Sequence, residues 1–248
     1  MIIATGTGRC GTMTFAHLFG AYHEFGSPRL RKLCNLVWDG PEAPFSTEDV
    51  AAIATGHIKD IWTEPGVGGD TLEQFANSSH FYLPFVDALY AAHPLVKVVY
   101  LIRDPFEYCR SMLPRGLHEK RGWIYYPPVG DPARSKWDNM DPLERCAWIW
   151  GYQNRMAHDQ LERLPEDTYK VVWTHDIYPR TAEIAAFVGR QPDASMVASQ
   201  RVVNKAGDEP VRRNKPYTMP PPCEWEEVDR EKVLVHAADV AQFPLFRE

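Results

Sequence analysis

Glycines alternate with polar residues in the loop of MIIATGTGRCGTMTF, which lies between an apolar run and a helix-like pattern. Met1 to Ala4 read as a buried strand, and Phe15, Leu18 and Phe19 then follow at helical spacing. A loop between a strand and a helix N-terminus directs backbone N–H groups and the positive end of the helix dipole toward one point. The sequence therefore predicts an anion-binding site in this loop.

Three glycines and one cation define the chemistry of the loop. Gly6, Gly8 and Gly11 let the backbone approach an anion closely and adopt positive φ where the turn requires it. From Arg9, two residues before the last glycine, a guanidinium could fork onto phosphate or sulfate oxygens. The same pattern is also compatible with an ordinary glycine-rich turn whose arginine faces water, because short motifs often arise by chance.

The Walker pattern GxxxxGK(S/T) is only partly present in the loop. Gly6 and Gly11 match it, whereas Thr12 stands in place of the lysine and Met13 in place of the magnesium-binding hydroxyl. A metal-nucleotide kinase is therefore disfavoured.

The five cysteines have no CxxC or zinc-like spacing, so we expect free thiols in a reducing compartment and no metal.

Composition limits the partners that such a site can serve. The chain has 248 residues of which 44% are hydrophobic, and this predicts one α/β domain over residues 1–248. A net charge of −6 without a block of lysines and arginines argues against nucleic acid or an anionic membrane, so any basic site must be local. No apolar run approaches a membrane span, and Met1 to Ala4 form a strand instead of a signal peptide, which predicts a soluble, cytoplasmic protein.

Strand and helix patterns alternate along the chain. KVVYLI at Lys97 to Ile102 and KVVWT at Lys170 to Thr174 read as buried strands, and GAYHEF is a shorter candidate. Helices are predicted at about Phe81 to Ala92, with the regular part near Pro84, and at Leu143 to Leu164. One face of the long helix is marked by Leu143, Cys146, Ala147, Trp150, Asn154, Ala157 and Leu161. This rhythm predicts a parallel sheet flanked by helices, with ligands at the carboxyl ends of the strands.

Two proline-rich stretches interrupt this rhythm. Residues 125–142 are too long for a tight connection unless they form a lid or a binding loop. The aromatic residues in and beside this stretch could wall an apolar acceptor pocket or anchor the loop to its own core; they are Trp123, Tyr125, Tyr126 and Trp137. Residues 211–248 read as a C-terminal arm, in which an extended PYTMPPP leads to a helical segment around Val233 to Val240.

A second motif, RDPFEYCRSML, follows the KVVYLI strand. Asp104 can cap a helix whose first position is Pro105. Arg103 then ends the strand, and Ser111 lies eight positions later in the helix. This pair beside a glycine-rich anion loop resembles the sulfotransferases that use 3'-phosphoadenosine 5'-phosphosulfate (PAPS). Singly, Arg103 could instead pair with Asp104 or Glu107, and Ser111 could be an exposed helical serine.

The resemblance extends over roughly Met1 to Pro210 and implies a P-loop-NTPase-like sulfotransferase fold. In that family the later arginine and serine hold the 3'-phosphate, a role that falls here on Arg103 and Ser111. The first loop holds the 5'-phosphosulfate, a role that falls here on Gly8, Arg9, Cys10, Gly11, Thr12 and Met13.

Some family positions differ here. Cys10 and Met13 replace hydroxyl residues that are common in the family, so the resemblance implies only backbone contacts for them. Asn204 and Lys205 in VNKAGDEP resemble the family's final cofactor loop. Lys205 is equally compatible with a solvated loop lysine.

Sulfuryl transfer resembles phosphoryl transfer, so its catalysis depends mainly on positioning and electrostatic stabilisation, here by Arg9 and the loop amides. Related enzymes with a glutamate in the region of GAYHEF use it as the base that takes the acceptor's proton, which makes Glu24 the first candidate and His23 the second. On one strand, the two would point to opposite faces. Alternatively, Glu24 forms an ion pair with Arg29 or Arg31.

The expected function is transfer of the sulfuryl group of PAPS to a hydroxyl or amine of a small-molecule, lipid or sugar-bearing acceptor, with release of 3',5'-adenosine bisphosphate. One alternative is a P-loop nucleotide kinase-like enzyme, in which Asp104 would hold magnesium. Another is a non-catalytic nucleotide-binding protein whose long loop binds a partner protein. The remaining histidines, such as His57, His80 and His175, are expected to be structural or surface groups.

Overall fold

The computed structural model describes residues 1–25, 27–39, 74–122, 125–200 and 219–246, together with residues 52 and 56. Its centre is a sheet of five parallel strands in the spatial order β2-β3-β1-β4-β5. The strands are β1 Ile2–Gly6, β2 Tyr22–His23, β3 Ala76–Ser78, β4 Lys97–Ile102 and β5 Tyr169–Trp173. Helices flank this sheet, so the predicted α/β class is confirmed.

Strand β4 shows why apolar runs in the sequence become central strands. Val98, Tyr100 and Ile102 pack into the core on one face of the sheet, whereas Val99 and Leu101 pack into the core on the other. All five side chains are fully buried. A strand that is covered on both faces is apolar at nearly every position, which is the pattern that predicted it.

The described helices fill the connections between strands and follow the last one. They are α1 Thr12–Phe19, α2 Ser27–Asp39, α3 Val86–Ala92, α4 Pro105–Met112, α5 Ala133–Lys136, α6 Pro142–Leu161, α7 Thr181–Val188, α8 Ala194–Ser199 and α9 Glu227–Ala237. Helix α6 starts at a capping box of Asp141 and Glu144 and buries every position of its predicted face. Within the described ranges, no helix has both the length and the apolar character needed to cross a membrane.

The helix predicted at about Phe81 to Ala92 is divided in two. A 3-10 helix spans His80–Phe85 and contains Pro84, and α3 begins at Val86. Proline has no N–H to donate, so the regular helix starts only after it. The side-chain oxygen of Gln160 accepts the Val86 N–H at 2.7 Å and thereby satisfies one of the first donors of α3.

Strand β3 was not predicted from the sequence. It has only three residues, and its Asn77 and Ser78 are polar but fully buried. Asn77 Nδ2 donates to the carbonyl oxygen of Phe25 at 3.0 Å and lies 2.9 Å from the Tyr82 hydroxyl. Distant partners hold the Asn77 amide nitrogen and the Ser78 hydroxyl, so polar residues can be buried here, and the strand has no apolar pattern by which the sequence could have predicted it. Strand β5 ends at Trp173, one residue before the predicted end, since Thr174 begins a 3-10 turn.

Residues 125–142 hold the short helix α5 and are anchored to the core. The Trp137 side chain is 2% exposed, and its ring packs edge-on against Tyr126 at 5.6 Å and Trp148 at 5.4 Å. Tyr126 and Trp137 therefore anchor the loop to the core, which was one of the two alternatives for these aromatic residues. Trp123 lies outside the described residues.

The described part of the predicted C-terminal arm, residues 219–246, packs through α9 against α6. A Cβ at Gly151 would stand 2.4 Å from the His236 carbonyl oxygen, so the close approach of these two helices requires glycine at that position. A helix was predicted around Val233 to Val240. The observed helix starts earlier, at Glu227, and ends earlier, at Ala237.

Candidate active site

The glycine-rich loop leaves β1 at the carboxyl edge of the sheet and enters α1. Three of its residues have positive φ, namely Gly8 at 66°, Arg9 at 58° and Gly11 at 97°. Turns in which such residues alternate with residues of negative φ, as Arg9 and Gly11 do with Cys10, can bring backbone N–H groups together into a concave anion site. Left-handed φ costs a non-glycine residue about 1–3 kcal/mol and is common at functional positions. A Cβ at Gly11 would also stand 2.8 Å from Ile177 Cδ1.

The ends of three other strands hold this loop in place. After β5, Thr174 Oγ1 donates to the Cys10 carbonyl oxygen at 2.8 Å. Ser78, the last residue of β3, donates from Oγ to the Thr12 carbonyl oxygen at 2.7 Å. After β4, Arg103 Nη1 donates to the Arg9 carbonyl oxygen at 2.9 Å. The loop conformation is therefore fixed by side chains that come from distant parts of the sequence.

Arg9, Arg103 and Ser111 meet beside the loop, and we call this group the loop end of the site. Arg9 Nε donates to Ser111 Oγ at 3.2 Å. Ser111 is 1% exposed, so it is not the exposed helical serine of the alternative interpretation. Arg103 also forms an ion pair with Glu107 at 3.3 Å, as that interpretation expected. Burial lowers the pKa of Arg103, and the Glu107 carboxylate opposes this shift.

A cavity of about 990 Å³ opens over the loop end. Among the described residues, two carboxylates line it, Glu24 and Glu107. The described residues also contribute seven cationic side chains: Arg9, Arg31, Arg103, Arg110, Arg115, Lys120 and Arg121. A protein with a net charge of −6 therefore has a positively charged cavity, which attracts anions.

The opposite part of the cavity lies beside the edge strand β2, and we call His23, Glu24, His80 and Tyr125 the edge end. Glu24 follows the strand with φ 54°. Because the chain leaves strand geometry there, the alternation that would point His23 and Glu24 to opposite faces does not apply, and both side chains line the cavity. The Glu24 N–H still donates to the Ser78 carbonyl oxygen at 3.0 Å.

Glu24 is linked to two other side chains of the edge end. Its Oε1 lies 3.3 Å from His80 Nδ1, and His80 Nε2 lies 3.5 Å from the Tyr125 hydroxyl. The hydrogen bond from His80 lowers the pKa of Glu24, and the Arg31 charge adds to this effect. Glu24 is therefore a carboxylate at neutral pH. The described contact of Glu24 is with His80, whereas Arg31, one of the two arginines expected to pair with Glu24, is a cation on the same cavity.

His23 and His80 reach the site by different routes. His23 Nε2 lies 3.4 Å from Thr12 Oγ1, and burial lowers the pKa of His23. His80 was expected to be structural or at the surface, but it lines the cavity just after β3. Since no strand was predicted at Ala76–Ser78, nothing in the sequence placed His80 after a strand end.

Cys10 and Met13 complete the loop. Burial raises the pKa of the Cys10 thiol to about 12, so this side chain stays neutral and Cys10 can offer only its backbone. Met13 lines the cavity. Asn204 and Lys205 lie outside the described residues. Within the described ranges, no three His, Cys, Asp or Glu residues form a group that could hold a metal ion.

No family model matches the chain, and no curated protein matches it. Solved structures that it resembles include the sulfotransferase from Alicyclobacillus acidocaldarius, at a TM-score of 0.49 and 13% identity over 97% of this chain and 92% of that one. The sulfotransferase domain from the curacin biosynthetic pathway has a TM-score of 0.47 and 11% identity, with 97% of each chain covered. The sulfotransferase domain from the Synechococcus PCC 7002 olefin synthase has a TM-score of 0.43 and 14% identity, with 96% and 93% covered.

Proposed function

We propose that this protein is a sulfotransferase that moves the sulfuryl group of PAPS to a hydroxyl or amine of an acceptor. The observation that carries the proposal is the loop end, where an anion loop, a strand-end arginine and a buried helical serine converge. The Arg9 side chain donates a hydrogen bond to the Ser111 hydroxyl, and the Arg103 side chain donates one to the carbonyl oxygen of Arg9. The motif that resembles the sulfotransferases is thus supported by contacts between residues that lie about a hundred positions apart.

The donor set fits a nucleotide that carries phosphate and phosphosulfate groups. Backbone N–H groups, two guanidinium groups and one hydroxyl are donors suited to oxyanions. The loop from Gly8 to Met13 would hold the 5'-phosphosulfate, and Arg103 with Ser111 would hold the 3'-phosphate. When bound, PAPS supplies the sulfuryl group on an anhydride bond.

Every described cysteine is a free thiol, which agrees with a reducing, cytoplasmic setting.

Within this function, Arg9 has the role of stabilising charge. Its backbone takes the left-handed conformation within the anion loop, and its side chain lines the cavity. Preorganised donors of this kind stabilise charge that develops during transfer, because they need no reorganisation when the charge appears. The hydrogen bonds from Arg103, Ser78 and Thr174 to loop carbonyls supply that preorganisation.

The edge end would take the acceptor's proton. Glu24 is our first candidate for the base, since it is ionised at neutral pH, lines the cavity and is held by His80. His23 is the second candidate, and its contact with Thr12 places it closer to the loop.

Calorimetric titration tests the proposal. The protein is titrated with 3',5'-adenosine bisphosphate without metal and with ATP plus magnesium, and then assayed with labelled PAPS against a panel of acceptors. Metal-independent preference for the bisphosphate together with label transfer supports a sulfotransferase. Magnesium-dependent ATP binding would instead indicate a kinase-like enzyme. Bisphosphate binding without transfer to any acceptor class would indicate a nucleotide-binding protein that has no catalytic role.

A further inference from the structure

Helix α2 forms one wall of the cavity and follows directly after the edge strand. Its apolar face, with Leu30, Leu33 and Cys34, is buried in the core. On the other side, Arg31 and Asn35 are exposed and line the cavity. Residues four positions apart lie on the same face of a helix, so these two side chains form one polar strip along the cavity wall.

Arg31 belongs to the edge end. Its guanidinium carbon lies 5.2 Å from the centroid of the Phe81 ring, and this ring lies 4.1 Å from the ring of His80. The Arg31 charge acts on both Glu24 and Tyr125, which lowers the pKa of each, although burial of Tyr125 outweighs it there. Arg31 is therefore a neighbour of the candidate base.

We propose that Arg31 and Asn35 form a binding site for an anionic group of the acceptor, so that the substrate is a hydroxyl or amine compound carrying a carboxylate or a phosphate. This inference rests on the proposed function and specifies its acceptor. A planar guanidinium forks onto the two oxygens of such a group, and the Asn35 amide adds a neutral donor on the same strip.

The surroundings of Arg31 are suited to selection by charge. A guanidinium carbon 5.2 Å from the centroid of the Phe81 ring is within cation–π range, which favours this position of the Arg31 charge beside the cavity. The Phe81 and Tyr125 rings border the same space and suit the uncharged body of a small acceptor. An acceptor with its anion on Arg31 would present its remaining groups beside Glu24 and His80.

The test uses probes that need not react. Protein saturated with 3',5'-adenosine bisphosphate is titrated with benzoate, with phenyl phosphate and with benzamide, which is nearly the same shape as benzoate but neutral. Saturation fills the nucleotide site, so the probes report on the remaining cavity. Arg31→Gln removes the proposed contact. Arg29→Gln is the matched control, because Arg29 is exposed on the same helix but does not line the cavity.

In the wild type, benzoate or phenyl phosphate should bind about 10–100-fold more tightly than benzamide, as expected for one charge-assisted contact. The comparison of the two anions identifies a carboxylate or a phosphate as the preferred group. Arg31→Gln should remove the preference, and Arg29→Gln should keep it. Equal affinity for the three probes, or a preference that survives Arg31→Gln, overturns the inference while bisphosphate binding leaves the proposed function intact. Failure of the bisphosphate to bind overturns both.

Discussion

The loop end and the edge end of the cavity are built differently. At the loop end, backbone carbonyls are fixed by side chains from three strand ends, and Ser111 is 1% exposed. At the edge end, a strand of two residues leads into Glu24, whose side chain is 39% exposed. One end is held by the centre of the sheet, and the other projects from its margin.

This difference indicates how the two ends respond to substitution. A group that is recognised by backbone N–H donors requires a fixed loop, so residues that hold the loop affect everything bound there. Side chains on a margin can change without disturbing the sheet, because few buried contacts depend on them. Substitutions at the edge end should therefore alter turnover and acceptor choice, whereas substitutions at the loop end should alter nucleotide affinity as well.

Glu24→Gln should have the largest effect. It keeps the size and polarity of the side chain but removes the basic carboxylate, so turnover should fall about 10²–10⁴-fold while bisphosphate affinity is nearly unchanged. Single-turnover assays and calorimetry measure the two quantities. His23→Ala is the comparison variant. Near-normal turnover in Glu24→Gln with a large loss in His23→Ala would reverse the assignment.

The pH dependence sharpens the same distinction. The base must be ionised, and the hydrogen bond from His80 lowers the pKa of Glu24 from the ordinary 4.5. The wild-type rate should therefore fall only as pH drops below 4.5, and this acid limb should be absent in Glu24→Gln. Burial lowers the pKa of His23 from 6.5, so a limb due to His23 would lie below 6.5 and would disappear in His23→Ala. Circular dichroism over the same range separates unfolding from titration.

Arg9→Ala should have the next largest effect. Removal of a preorganised donor at a site of developing charge typically lowers turnover about 10²–10³-fold, and bisphosphate affinity should fall less. Arg9→Lys should recover part of the rate. Arg9→Gly is the control for backbone strain: it also removes the guanidinium, but glycine adopts the left-handed φ of this position without strain, whereas alanine does not. An unchanged single-turnover rate in Arg9→Ala would exclude the proposed role.

Arg103→Ala should mainly affect the nucleotide. Loss of one charge-assisted contact worth roughly 1.5–3 kcal/mol weakens bisphosphate binding about 10–100-fold. Arg103 also holds the Arg9 carbonyl oxygen, so binding of adenosine 5'-monophosphate should fall too, but less. Calorimetry with both ligands gives the ratio. Equal losses would mean that Arg103 acts only through the loop.

Thr174→Val should have the smallest effect, and it tests whether the hydrogen bond that holds the loop contributes to binding at the loop end. The substitution keeps the shape of the side chain but removes the hydroxyl donor that lies 2.8 Å from the Cys10 carbonyl oxygen and 3.0 Å from that of Ile102. This should lower the free energy of unfolding by about 1 kcal/mol and weaken bisphosphate binding a few-fold. Thr181→Val removes a similar hydroxyl donor at the start of α7, which lies within hydrogen-bond distance of the Ile177 and Tyr178 carbonyl oxygens just before the helix. That variant should lose stability only. An equal loss of binding in both variants would contradict the role of Thr174.

Local patterns predicted the central parts of the fold. Strands β1 and β4 and helix α6 were visible because their apolar positions follow the periods of buried strands and amphipathic helices. The same patterns missed β3, whose polar residues are buried by distant partners, and gave β2 only approximate limits. A strand of two or three residues is too short to show a period. Its existence depends on the strand beside it.

The sequence by itself determined the loop and the spacing from Arg103 to Ser111, because residues a few positions apart within one strand-turn-helix unit have their relative places set by local geometry. Only the tertiary structure decided which strand ends share an edge. By inserting β3 between β1 and β2, it brings His80 to Glu24 and Ser78 to the loop. Pairing between strands is a contact between distant segments, and no local pattern encodes the order in which they pair.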